Sequence, residues 1–226
     1  MTPFLLVLSA PSGGGKTSIA KMLLQARDDL GYSVSATTRP KRQGERDGVD
    51  YHFLSRTEFE KRQKAGDFIE YATYAGELYG TLKSEIEKIF SQGRHAVLDV
   101  EIEGARQIRR NFQNSLLLFV LPPSADVLLS RLKGRNTEDP AVLQQRVIRA
   151  AEELAVVSEY DYAIVNEDLV AAVSQVAAIL EAEARRVPRQ QALPEFVEEL
   201  RRDVIAAAER IGKKSTVDSR QSRNRH

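Results

Sequence analysis

The chain has no cysteine among its 226 residues. That excludes a disulfide framework and thiolate chemistry, and it fits a reducing cytoplasm. Long apolar runs are missing too. Near the start only Phe4–Leu8 is uninterruptedly apolar, far short of a bilayer-spanning stretch and without the basic flank of a signal peptide. The expectation is a cytoplasmic protein with no membrane contact. Net charge is small, +1, so no overall field draws the molecule to nucleic acid, and no specific nucleic-acid partner is expected. Histidine is scarce: His52 and His95 fall in strand patterns and His226 ends the chain, so none has the setting of a general base.

What is present is an ordinary globular composition, long enough for one large domain or two small ones. Apolar runs without alternation lie at Phe4–Ser9, His95–Val100, Ser115–Leu121 and Tyr162–Val165. Such runs suit parallel strands buried on both faces, and each precedes a helical pattern, the order of an α/β fold. The helices are read from Lys16 towards Leu30, around Gly104–Arg110, from a Ser124 cap to about Arg131, and from Asp168 to Arg186. Between Ser33 and Gln92 the texture changes to short strand-like pieces, with Ser55 and Glu58 as a capping-box signature for a helix over Thr57–Ala65. This reads as an inserted mixed α/β subdomain. The polar stretch Lys133–Pro140 reads as a lid. Pro188 and Pro194 bracket a linker, Glu195–Ile211 fits an amphipathic helix, and Lys213–His226 is basic and predicted disordered.

Directly after the first strand comes S-A-P-S-G-G-G-K-T-S, Ser9–Ser18. It follows the P-loop pattern G-x-x-x-x-G-K-[ST], with Ala10 at the first glycine position and Gly15, Lys16 and Thr17 at the last three. A glycine-rich turn can be mere linker. The setting here, strand before and helix after, is the one in which backbone N–H groups and a helix N-terminus cradle phosphates. The expected nucleotide contacts are Ala10, Pro11, Ser12, Gly13, Gly14, Gly15, Lys16, Thr17 and Ser18. Lys16 would reach the β and γ phosphates and the Thr17 hydroxyl would ligate Mg²⁺. Asp99 ends an apolar strand, the usual place for an acid near that ion.

The acceptor is read from Ser35–Leu54, where Arg39 and Arg42 flank Pro40 and Tyr51 follows. Closely spaced guanidiniums offer planar forks of donors that match a phosphate. A solvated charge run is the competing reading, and it suits Lys41 and Arg46. Here the residues carry a likeness. T-T-R-P-K-R-Q-G-E-R-D-G-V-D-Y-H-F-L (Thr37–Leu54) resembles the signature of guanylate kinases, as do G-D-F-I-E-Y-A-T-Y-A-G-E-L-Y-G-T (Gly66–Thr81), L-D-V-E-I-E-G-A (Leu98–Ala105) and G-R-N-T-E (Gly134–Glu138).

The resemblance implies a P-loop parallel sheet flanked by helices, divided as core 1–34 and 93–186, GMP-binding insertion 35–92 and lid 133–146, with an extension over 187–226 outside the likeness. It implies ATP + GMP → ADP + GDP with Mg²⁺ and dGMP as a further acceptor; the sequence leaves monomer and homodimer both open. By the same likeness Arg39, Arg42, Tyr51 and Tyr79 would grip the GMP phosphate. Ser35, Glu70, Thr81, Asp99 and Glu101 would serve the acceptor site, Glu101 standing where many relatives carry aspartate. Arg135 and Arg146 would close over the phosphates beside Lys16 and Arg42, and Asn166 would lie near the adenine. Arg131 and Arg149 either assist or face solvent, and Lys83 reads as a solvated helix-start residue. Two rivals stand beside this: a kinase for another phosphorylated acceptor such as ribose 1,5-bisphosphate, and a catalytically inactive interaction domain of the same fold.

Overall fold

The structure is a computed structural model and describes residues 2–74, 76–133 and 140–223. The chain divides into a unit of 3–181 and a smaller one built on the segment from Ala182 onward. The central sheet of the larger unit is parallel throughout, in the order β2 (Leu30–Tyr32), β7 (His95–Asp99), β1 (Leu5–Ser9), β8 (Ser115–Leu121), β9 (Tyr162–Val165). All five residues of β1 are buried, as expected of a central parallel strand covered on both faces.

Four of these strands are the four apolar runs of the sequence. The fifth, β2, begins where the helix read from Lys16 towards Leu30 was expected to end, and the sequence reading has no strand there. Helix α1 (Lys16–Ala26) stops before Arg27, which has extended backbone and forks onto Asp29 at 2.9 and 2.7 Å. Leu30–Tyr32 then pairs with His95–Val97. Three residues containing a glycine carry too little periodicity to reveal a strand. His95 is a packing residue: its Nδ1 accepts the Phe4 N–H at 3.1 Å.

A second, mixed sheet runs β4 (His52–Phe53), β3 (Ala36–Thr37), β6 (Glu77–Leu82), β5 (Phe68–Tyr74). Helix α2 (Arg56–Ala65) covers it, capped by the Ser55 side chain accepting from Glu58 N–H, and Phe59 stacks on Phe68 with ring centroids 4.3 Å apart. These two rings with Ala36 and Leu82 give the insertion its own small core. Helix α3 (Lys83–Ser91), inside the expected 35–92 insertion, sends Ile86 and Ile89 into the main core beside Leu5 and Leu98, while Lys83 is exposed.

Helix α4 (Ile102–Asn111) follows β7, and α5 (Ala125–Lys133) follows β8, with Val127 N–H bonded to the Ser124 hydroxyl at 3.3 Å. Leu128 and Leu132 of α5 pack on Ala150 of α6 (Pro140–Leu154). Residues 134–139 of the expected lid, including Arg135, lie outside the described residues, and its 140–146 part is the start of α6. Helix α7 is Leu169–Ala184, with the Asp168 carboxylate accepting from Ala171 N–H at 2.8 Å. Pro188 sits in a short 3-10 turn, and α8 runs Leu193–Arg223. The disorder expected from Lys213 is therefore not what the backbone adopts up to Arg223; Lys, Arg and Gln are good helix formers, and no proline or glycine interrupts that stretch. No helix among the described residues is long and apolar enough to cross a membrane.

Candidate active site

β1 ends at Ser9 and α1 begins at Lys16, so Ala10–Gly15 must reverse the chain within one turn. Gly15 adopts the left-handed φ of 97°, and a Cβ there would collide with the Asn166 side-chain amide. Glycine is required on both counts. Asn166, buried at the end of β9, donates from Nδ2 to the Gly14 carbonyl at 3.1 Å. Arg131 of α5 reaches the same carbonyl at 3.5 Å and the Asn166 carbonyl at 3.3 Å. Arg131 is thus turned to the loop, not to solvent. Gly13, Ser18, Arg131, Asn166 and Asp168 line a cavity of about 460 Å³ on this side.

The front of the loop carries the charges. Lys16 Nζ bonds Glu101 Oε1 at 2.8 Å, and Glu101 Oε2 lies 3.8 Å from Arg149. Arg149 also pairs with Glu153 at 2.9 Å, and the other Glu153 oxygen accepts the Ser12 N–H at 2.9 Å. Glu153 is buried, and α6 is thereby tied to the loop. Arg42, Tyr51 and Arg146 open on the same cleft, of about 490 Å³. Arg146 donates to the Leu132 carbonyl at 3.1 Å. Glu101, one of the residues expected at the acceptor site, is turned to Lys16.

Thr17 Oγ1 donates to Asp99 Oδ2 at 2.7 Å, and Tyr32 donates from its hydroxyl to Asp99 Oδ1 at 2.6 Å. The Tyr32 ring is partly open to solvent, but its hydroxyl turns inward. Desolvation there, with the Asp99 charge, keeps that hydroxyl protonated well beyond the usual tyrosine range. Thr17 and Asp99 are a pair of hard oxygen ligands joined by one hydrogen bond beside the glycine-rich loop. That suits Mg²⁺, which takes one or two protein oxygens and fills its octahedron with water and phosphate. Among the described residues no group of three or more His, Cys, Asp or Glu forms a protein-only cage.

The insertion brings together residues expected on the acceptor side. Arg39 pairs with Glu45 at 2.7 Å and lies over the Tyr51 ring at 5.4 Å, and Tyr51 meets Tyr79 edge-on at 6.1 Å. Glu45 also accepts the Arg42 N–H at 2.8 Å, so it organises the turn between the two arginines. Ser35 is half-buried just before β3, its carbonyl accepting from His52 N–H at 2.9 Å. Glu70 is the outlier: a carboxylate only 6% exposed. Its Oε1 accepts from the Thr81 hydroxyl at 2.7 Å. Burial, partly offset by Thr81, pushes its pKa up to about 6.

Motif and local charge pattern pointed to the cradle, the two arginines and the acids. Tyr32 and Glu153 went unread, because each meets its partner only through the fold; Glu45 went unread although Arg39 and Arg42 are near it in sequence, and Arg131, left between assisting and facing solvent, turns to the loop.

A phosphate cradle on the central strand of a parallel sheet, with an acceptor-side insertion and an arginine-bearing helix facing it, defines a P-loop kinase. The guanylate kinase family model matches residues 3–183. The chain is 48% identical over 177 residues to the guanylate kinase of Chlorobium chlorochromatii, covering 78% of this chain and 93% of that one. With the guanylate kinase of Clostridium perfringens it shares 44% over 185 residues, covering 82% and 86%. The crystal structure of guanylate kinase from Anaplasma phagocytophilum superposes with a TM-score of 0.71 at 32% identity, covering 88% of this chain and 95% of that one. The chain belongs to the guanylate kinase family.

Proposed function

We infer that the chain transfers the γ-phosphoryl group of ATP to GMP, giving ADP and GDP, as a cytoplasmic enzyme of purine nucleotide metabolism, with dGMP as a second acceptor. One observation carries the choice of acceptor: a buried, hydroxyl-braced carboxylate, Glu70, on the acceptor side of the Lys16 cradle. Guanine presents two adjacent donors, N1–H and the 2-amino group, and a carboxylate accepts both. Adenine presents an acceptor at N1, which would face the Glu70 charge unpaired and be rejected strongly.

In the transfer, a GMP phosphate oxygen attacks the terminal phosphorus of ATP. The bond from that phosphorus to the β,γ-bridging oxygen breaks, and its electron pair leaves on ADP. The attacking oxygen is already ionised, so no general base is needed, consistent with the packing role of His95. Catalysis then rests on alignment and charge neutralisation. Arg39, Arg42, Tyr51 and Tyr79 grip the acceptor phosphate, and Lys16 neutralises the transferring group. Thr17 and Asp99 would hold Mg²⁺, which supplies Lewis-acid neutralisation of the phosphate oxygens. Phosphate entry displaces Glu101 from Lys16, since both claim the same ammonium. Arg146 and Arg149 on α6 add further cationic groups beside the cleft, and Arg135 is assigned to the transfer by the family likeness alone.

The test is a coupled assay over GMP, dGMP, AMP and UMP. Glu70→Ala is expected to cost GMP turnover selectively, and Lys16→Ala to cost turnover on the order of 10³ with every acceptor, by analogy with removal of other transition-state cations. Turnover of AMP or a sugar phosphate at the GMP rate would sink the reading.

A further inference from the structure

Glu70 stands at an irregular point of its strand. The β5–β6 ladder shifts register between Phe68 and Glu70, a bulge that re-aims a side chain but leaves it less firmly held by the ladder. β5 is also the outer strand of its sheet, with β6 as its one neighbour there. The open edge meets α4. Gln107 Oε1 accepts the Tyr71 N–H at 3.1 Å and Gln107 Nε2 donates to the Tyr71 carbonyl at 2.8 Å. A single side-chain amide thus replaces the missing strand at the residue after Glu70. Gly104 stands three positions earlier, on the same side of the helix. A Cβ there would lie 2.7 Å from Glu70 Oε2 and 3.3 Å from its carboxyl carbon. The carboxylate is boxed: Thr81 fixes one oxygen, the bare face of Gly104 admits the other, and Gln107 pins the backbone beside it.

We propose that α4 determines acceptor-base specificity from outside the base site, with Gln107 and Gly104 as positioning residues that set where the Glu70 carboxylate meets the purine. Neither touches the nucleotide. The proposal rests on the reading of Glu70 given above and adds the element that enforces it. An acid hung on a bulged edge strand would drift by enough to lose one of its two bonds to the base.

Gln107→Met keeps the side chain's length and apolar stem and removes both bonds to Tyr71. Steady-state kinetics with GMP and with inosine monophosphate, which lacks the 2-amino group, read the result. KM for GMP is expected to rise about tenfold, the worth of one hydrogen bond to a charged group, while kcat and KM for ATP hold. The preference for GMP over inosine monophosphate should shrink. Gln107→Glu, which retains an acceptor for Tyr71 N–H, should fall between, and Gly104→Ala should exceed both. In a Glu70→Gln background, Gln107→Met should add nothing, because the carboxylate it positions is gone. Wild-type KM for GMP in Gln107→Met, equal losses for ATP and GMP, or an undiminished loss in the Glu70→Gln background would each overturn the role of α4. If Glu70→Gln itself leaves the base preference intact, the Glu70 reading falls first. Should Gly104→Ala not fold, Gln107→Met alone decides.

Discussion

Glu70 is a charge kept where the solvent is thin. Its folded pKa, about 6, lies above the 4.5 of an unperturbed glutamate. For such a shift the stabilising contribution is fully present below pH 4.5 and is lost as pH rises through about 6, because above that the folded state holds a desolvated anion. Glu70→Gln should therefore raise stability at pH 8 by about 2 kcal/mol, at 1.36 kcal/mol per pKa unit, and the gain should vanish by about pH 4. Urea melts at the two pH values check this; a gain equal at both would contradict it. The acceptor acid would thus be held in place against the fold's own preference. Tyr32 gives the opposite case. Its hydroxyl bonds Asp99 at 2.6 Å, and Tyr32→Phe should cost about 1–2 kcal/mol in the same melts by leaving that oxygen without its donor. Glu70 was legible from its place in a motif. Tyr32 was not, since no spacing rule joins a tyrosine on β2 to an aspartate 67 positions later.

Elements differ in how plainly the sequence announces them. The runs at Phe4–Ser9, Ser115–Leu121 and Tyr162–Val165 declare themselves because strands buried on both faces need unbroken apolar residues. β3 and β4, two residues each, have no room for a pattern and exist through their pairing with β6 and each other. The loop between β1 and α1 is legible as chemistry but not in its supports: Asn166, Arg131 and Glu153 come from distant segments. Gly15→Ala is expected to lower kcat/KM for ATP on the order of 10², the penalty of misplacing a reacting group by roughly an ångström, because the left-handed φ is lost and Asn166 is pushed aside; kinetics at varied ATP read it. In the insertion, Phe59→Ala should destabilise by about 3–5 kcal/mol, since Phe59 is fully buried against Phe68; calorimetric unfolding checks the size.

At the scale of the molecule, every side chain assigned to the transfer and described by the structure lies within 3–181, and the family match spans 3–183. A chain ending at Ala192, and so lacking α8, should keep kcat/KM for both nucleotides; a large loss would give the extension a part in catalysis. The fold class and the insertion were legible because a P-loop and four apolar runs leave few arrangements open. The extension was least legible, its helix outrunning the amphipathic pattern. The position of β1 also bears on synthesis. It lies between β7 and β8, and its following loop is braced by Asn166. The ribosome therefore releases the glycine-rich turn 152 residues before the asparagine that braces it, so a nucleotide can reward only a nascent polypeptide long enough to hold both.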